Sequence, residues 1–184
     1  MERKAATYAD LVALPDRFIG ELIGGVLHAS PRPAAAVAIA AFNLCAAVGM
    51  PFSAGKGGPG GWVILNKPEL HLGEDVLVPD VAGWHRERMP HPREVVAFTV
   101  VPDWVCEVLS PSTKALDRKE KLPIYAREGV RHVWLVDPRA RALEVFRLEG
   151  ADYSLLATHS GGGHVRAEPF DAIELNLAFV WGET

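Results

Sequence analysis

Cysteine is scarce: Cys45 and Cys106 are the only two in 184 residues. That excludes a disulfide framework and fits a reducing, cytoplasmic setting. Long strongly apolar runs are also missing. The nearest, Ala34 to Met50, is rich in Ala, contains Asn43 and Gly49 and follows Pro31 and Pro33. A bilayer core asks for roughly 20 strongly apolar residues, so no membrane partner is expected. Charged Met1-Glu2-Arg3-Lys4 is not followed by an apolar stretch, so no secretory leader is expected either. Positive charge is not in excess: 19 Lys and Arg stand against 23 Asp and Glu, a net charge of −4. Phosphate-binding surfaces need local Lys and Arg, so the whole-chain balance weighs mildly against nucleic acid.

Two cofactor signatures are absent as well. Gly55-Lys56-Gly57-Gly58-Pro59-Gly60 has the letters of a dinucleotide fingerprint, but the apolar run Trp62-Val63-Ile64-Leu65 follows where a helix is required. The expected reading is a flexible loop beside a substrate channel. Lys56 is not followed by Ser or Thr, so there is no phosphate-binding P-loop. His28, His71, His85, His91, His132, His159 and His164 show no paired metal-ligand spacing.

What remains is ordinary globular composition, 49% hydrophobic and 23% charged, expected to form one domain over residues 1–184. The pattern predicts a short helix over 7–14, strands on either side of Gly24-Gly25, and an Ala-rich helix over 34–48 that stops before Pro51. Strands are expected at 62–65 and 75–78, the latter continuing through 80–84, and an extended piece at 97–101. Trp104 to Leu109 and His132 to Val136 are apolar on both faces, as buried central strands are. Between them, Ser110-Pro111-Ser112-Thr113 opens a helix to about Glu128, closed by Gly129. Strands at 143–148, 154–158 and 174–179 complete the chain. The expected class is α/β (α+β): a mixed β-sheet flanked by helices, with an antiparallel C-terminal portion.

The chemistry concentrates near 104–109. Strand alternation sets Glu107 on the face of Val105 and Leu109, a carboxylate on an apolar, covered surface. Such a group must be paired, protonated or bound to a cation. A structural ion pair with a helix Lys or Arg is one reading. Asp80, which breaks the run Val76 to Ala82, is the acidic residue able to approach Glu107 from a neighbouring strand. Two converging carboxylates are the minimum oxygen site for Mg²⁺. Asp117, Lys121 and Tyr125 fall at i, i+4 and i+8 of the following helix, so Lys121 can reach both acids to orient or activate a water. An Asp117–Lys121 surface pair is the alternative.

These residues together resemble a known family. Tyr8-Ala9-Asp10-Leu11, Glu21-Leu22-Ile23-Gly24-Gly25, Val78-Pro79-Asp80-Val81-Ala82, Glu107-Val108-Leu109-Ser110-Pro111-Ser112-Thr113, Asp117 with Lys121 and Tyr125, Gly129-Val130 and Trp134-Leu135-Val136-Asp137-Pro138 occur in the order seen in the putative restriction endonuclease domains abundant in cyanobacteria and other bacteria. That family lies within the PD-(D/E)XK nuclease superfamily. The resemblance implies a restriction-endonuclease-like core and Mg²⁺-dependent cleavage of DNA, with Mn²⁺ as a substitute. Asp80 and Glu107 are then the metal ligands, Lys121 the catalytic lysine, and Glu21 a further acidic member of the site or else a solvent-facing hairpin residue. The superfamily places its lysine two residues after the second acid, where this chain has Leu109. Double-strand cleavage needs two sites, which a homodimer would supply. The other reading is a nuclease-fold protein that serves as a binding or assembly module. The basic residues are unevenly placed, with nine Lys and Arg against five Asp and Glu between 114 and 147. DNA binding is therefore expected to be local and strongly salt-dependent.

Overall fold

The computed structural model describes residues 5–89 and 97–183, so His91 lies outside the described residues. Thr7 caps α1 (Tyr8–Val12), exchanging bonds with Asp10 in a capping box. A hairpin follows, β1 (Phe18–Ile23) and β2 (Val26–Pro31), turning at Gly24 and Gly25, both at positive φ. Next come α2 (Ala35–Val48), β3 (Trp62–Asn66), β4 (Leu70–Leu72), β5 (Asp75–Leu77), β6 (Val81–His85) and β7 (Trp104–Val108). A helical run over 114–127 comprises α3 (Lys114–Leu116), a wide turn (Asp117–Lys121) and α4 (Leu122–Arg127). The chain continues through β8 (His132–Asp137), β9 (Ala142–Glu149), β10 (Asp152–Ser160), β11 (His164–Val165), β12 (Leu175–Asn176) and α5 (Leu177–Trp181).

The strands form a six-stranded mixed sheet, β10-β9-β8-β7-β6-β3, a four-stranded antiparallel sheet, β2-β1-β5-β4, and the ribbon β11-β12. β7 and β8 are parallel, joined by the helical run, while β8, β9 and β10 form the antiparallel C-terminal portion. The sequence had implied a single sheet in which the segment 75–84 was one continuous strand. Instead, β5 pairs in the small sheet and β6 in the large one. Pro79 offers no N–H to a ladder, so the chain changes sheets at Val78-Pro79-Asp80. The expected terminal strand over 174–179 is also shorter, because the Asn176 side chain accepts from Phe179 N–H and starts α5.

Both faces of the large sheet are covered. On one, α2 and α5 pack Leu44, Val48 and Leu177 against Trp104, Cys106 and Trp134, with Phe170 meeting the rings of Trp104 and Trp134 edge-on. By length and composition the segment 35–53 could cross a membrane. Here one face of α2 is part of the core. On the other face, Leu70, Leu77, Ile124 and Tyr125 cover Val105, Val133 and Leu135.

Each long helical segment contains a widened turn beside a proline. Ala54 N–H donates five residues back to Gly49 O, carrying the chain past Pro51, where the sequence had implied a stop. Likewise Leu122 N–H donates to Asp117 O. Pro123 has no N–H, and its ring would crowd the Lys119 carbonyl in a regular α-turn. A π-turn relieves that conflict without ending the helix.

Candidate active site

Seven charged side chains line one cavity of about 370 Å³: Glu21, Arg32, Lys67, Asp80, Glu107, Asp117 and Lys121. Each arrives for a local reason. Glu107 is on β7 and shares the face of Val105 and Leu109, as strand alternation requires. β6 and β7 pair antiparallel with Val81 opposite Cys106, so Asp80, one residue before β6, lies beside the C-terminal end of β7. There Asp80 Oδ2 accepts from Val108 N–H at 2.7 Å. Glu21 projects from β1 in the other sheet and is buried, so the solvent-facing reading of it is wrong. Its Oε1 accepts from Val78 N–H at 2.8 Å, at the crossover between the sheets.

Lys121 sits at the centre. Its Nζ is 2.7 Å from Glu107 Oε1, 2.8 Å from Glu21 Oε1 and 3.7 Å from Asp117 Oδ1, and its side chain is 2% exposed. The pair with Asp117 is therefore a buried one, unlike the surface pair that sequence left open. Tyr125 OH donates to Glu107 Oε1 at 2.5 Å. The i, i+4, i+8 face thus survives the widened turn.

The electrostatics follow from crowding four acids in a covered place. Burial pushes the Glu107 carboxyl well above its usual range; Lys121 opposes this, and Asp117, Asp80 and Glu21 add to it. Burial likewise raises Asp117 to about 6. For Lys121, burial works against the charge, but Glu107, Glu21 and Asp117 outweigh it and hold the ammonium well above the ordinary lysine range. The three carboxylates therefore favour its charged form. The charged form, held by ion pairs on three sides, suits the positioning role expected of it.

Asp117 yields a stability prediction. A folded-state value near 6, above the unfolded one, means that stability is present at low pH and lost as pH rises from about 4 to 6. Asp117→Asn should remove that loss, stabilising metal-free protein at pH 7.5 by about 2 kcal/mol, or roughly 4–8 °C in Tm. The gain should fade towards pH 4. A melting temperature at or below the native one at pH 7.5 would contradict this account.

Two features escaped the sequence reading. Ser110, Ser112 and Thr113 line the cavity as well as preceding the helix. Lys67, just beyond β3, pairs with Asp80 Oδ1 at 2.6 Å. The glycine-rich loop, by contrast, precedes β3 at Trp62, the end away from Asp80, and does not line this cavity.

The donor set suits a hard divalent cation. Formally four carboxylates face two ammonium groups and the Arg32 guanidinium, an excess of one negative charge, and all the acidic donors are oxygens. Among the described residues no three acidic, His or Cys side chains form a ready-made metal cage. Mg²⁺ does not require one, since it is commonly held by one or two carboxylates with water and a substrate phosphate.

A family model described as Uma2, putative restriction endonuclease, matches residues 6–178. The chain is also similar in structure to a putative nuclease belonging to DUF820 from Anabaena variabilis. The match has a TM-score of 0.75 at 18% identity and covers 96% of this chain and 98% of that one. At that identity the likeness concerns the fold, which is restriction-endonuclease-like. No curated protein matches the chain.

Proposed function

The chain belongs to the Uma2 family of putative restriction endonucleases, and from that premise we propose that it is a Mg²⁺-dependent endonuclease hydrolysing DNA phosphodiester bonds. The observation that carries the reading is the acidic cavity, where Asp80 and Glu107 arrive from adjoining segments and carboxylates outnumber cationic groups by four to three. Those two side chains would hold the cation. Bound there, Mg²⁺ would offset the charge that develops on the phosphate and favour ionisation of water.

Water gives up a proton to solvent as its oxygen bonds to phosphorus in line, one ester P–O bond breaks with its electron pair, and the departing oxygen takes a proton from solvent. The chain's residues act around that event. Lys121, fixed between Glu107 and Glu21, holds the second acid against the cavity and keeps a positive charge in its wall. Tyr125 donates to the same Glu107 oxygen that Lys121 contacts and restricts it further. Asp80 is oriented by the Val108 N–H. The hydroxyls of Ser110, Ser112 and Thr113 and the Arg32 side chain line the same cavity and offer donors to a phosphate backbone.

The test is cleavage of supercoiled, linear and single-stranded DNA by the purified protein with millimolar Mg²⁺ or Mn²⁺. Cutting should vanish with a chelator and return with excess cation. Failure to bind either cation and to cut any of the three substrates would remove this reading.

A further inference from the structure

Lys67 has no counterpart among the motifs described above, yet it is tied to the proposed metal ligand at two points. Its backbone N–H donates to Asp80 O at 3.0 Å, and its Nζ lies 2.6 Å from Asp80 Oδ1. The backbone contact follows from register: Asn66, the last residue of β3, pairs with Val81, so the next residue of the chain meets Asp80. Lys67 has φ +47. A non-glycine residue seldom takes the left-handed region, and one preceding a proline, here Pro68, is pressed towards extended backbone. The chain nevertheless bends so that this side chain enters the cavity wall.

The two lysines of the cavity differ in access. Lys121 is enclosed, with carboxylates on three sides. Lys67 is one-third exposed in its side chain, with Asp80 as its ion-pair partner, so it can exchange that partner at modest cost. A cation on Asp80 would compete directly with the Lys67 ammonium, and a phosphate arriving with that cation would offer it a new anion.

We propose that Lys67 is the substrate-facing cation of the site: its ammonium rests on Asp80 Oδ1, yields that carboxylate to the divalent cation, and pairs with a nonbridging oxygen of the scissile phosphate. This assignment rests on the phosphodiesterase reading of the cavity. It gives Lys67 the role in charge stabilisation that the superfamily pattern reserves for the position occupied here by Leu109.

The experiment compares the native protein with Lys67→Asn and Lys67→Arg. Asparagine tolerates the left-handed backbone better than most residues, and melting of each metal-free variant checks the fold. Removing the competing charge should tighten Mn²⁺ binding, read by calorimetry without DNA, by roughly threefold or more. Losing a charge aimed at the transition state should lower kcat by about 10²-fold with a smaller change in KM. Lys67→Arg should recover part of the kcat. A residue that merely braced Asp80 would give the opposite binding result, weaker Mn²⁺ affinity. Unchanged or weaker Mn²⁺ binding, or a Lys67→Asn kcat within about threefold of native, overturns the assignment. If the native protein binds Mn²⁺ but cuts nothing, the nuclease reading and the phosphate pairing built on it both fail; if the native protein cuts and Lys67→Asn cuts equally well, only the Lys67 assignment fails.

Discussion

Lys121→Met should lower the melting temperature of the metal-free protein at pH 7.5 by roughly 10 °C or more. The side chain is 2% exposed, and its partners Glu107 and Glu21 are 3% and 7% exposed in theirs. Removing one member of a buried ion pair costs about 3–5 kcal/mol, because the remaining buried charges lose their compensation. For a chain of this size each kcal/mol moves Tm by roughly 2–4 °C. Methionine has nearly the same length, so packing changes little and the electrostatic part dominates. The pH dependence separates this from a packing defect. Burial already raises Glu107, and Lys121 opposes that rise. Without the lysine, the folded-state pKa moves further above the unfolded one. The folded form then gains protons relative to the unfolded, so stability grows as pH falls and is lost as pH rises through the folded value. The deficit of Lys121→Met should be greatest above neutrality and shrink towards pH 5. Adding Glu107→Gln should recover part of it, since the amide needs no counter-charge. A deficit of only a degree or two at pH 7.5, or one independent of pH, would show that the triad of Glu21, Glu107 and Lys121 does not stabilise the fold in this way.

The same triad shows what was legible in the sequence. Glu107 stood out because an acid interrupted a strand that is apolar on both faces, and burial of that strand is a local consequence of its composition. Lys121 and Tyr125 were legible through helical spacing, which the widened turn at 117–121 did not destroy. The proximity of Asp80 to Glu107 followed from their belonging to successive strand segments. Glu21 was harder. Its surroundings depend on a second sheet, and nothing local to β1 reveals that Pro79 sends the chain from one sheet to the other. Lys67 was the least visible. Its contact with Asp80 arises from the pairing register of Asn66 with Val81, a long-range property, and from a left-handed backbone at a residue whose type and neighbour both argue against it. The cavity hydroxyls were read as capping groups because Ser110-Pro111-Ser112-Thr113 satisfies that pattern equally well. Ser110 Oγ does accept from Thr113 N–H, so the two uses coexist.

Asp80→Asn and Glu107→Gln should each leave the metal-free protein folded while abolishing the stabilisation it gains from a divalent cation. A ligand that binds only the folded state adds about 2.7 kcal/mol at a hundredfold excess over Kd, roughly 5–10 °C for this chain. The native protein should show such an increment with Mn²⁺ and with higher concentrations of Mg²⁺. In Asp80→Asn the cavity loses a charge whose partner, Lys67, is partly solvated, so the metal-free cost is small. In Glu107→Gln a carboxylate that burial disfavours becomes a neutral amide, and Lys121 keeps Glu21 and Asp117, so metal-free stability should hold or rise. The cation increment should disappear in both, and cleavage of DNA should fall by at least about 10²-fold. These readouts also divide the enzyme from a nuclease-fold binding module. A native increment that both variants lose, together with cleavage, is the signature of a working metal site. An increment without any cleavage points to a cavity that binds a cation for another purpose. A full increment retained in the double variant Asp80→Asn/Glu107→Gln would place the cation elsewhere and withdraw the ligand assignment, because neither carboxylate charge would then remain to hold it.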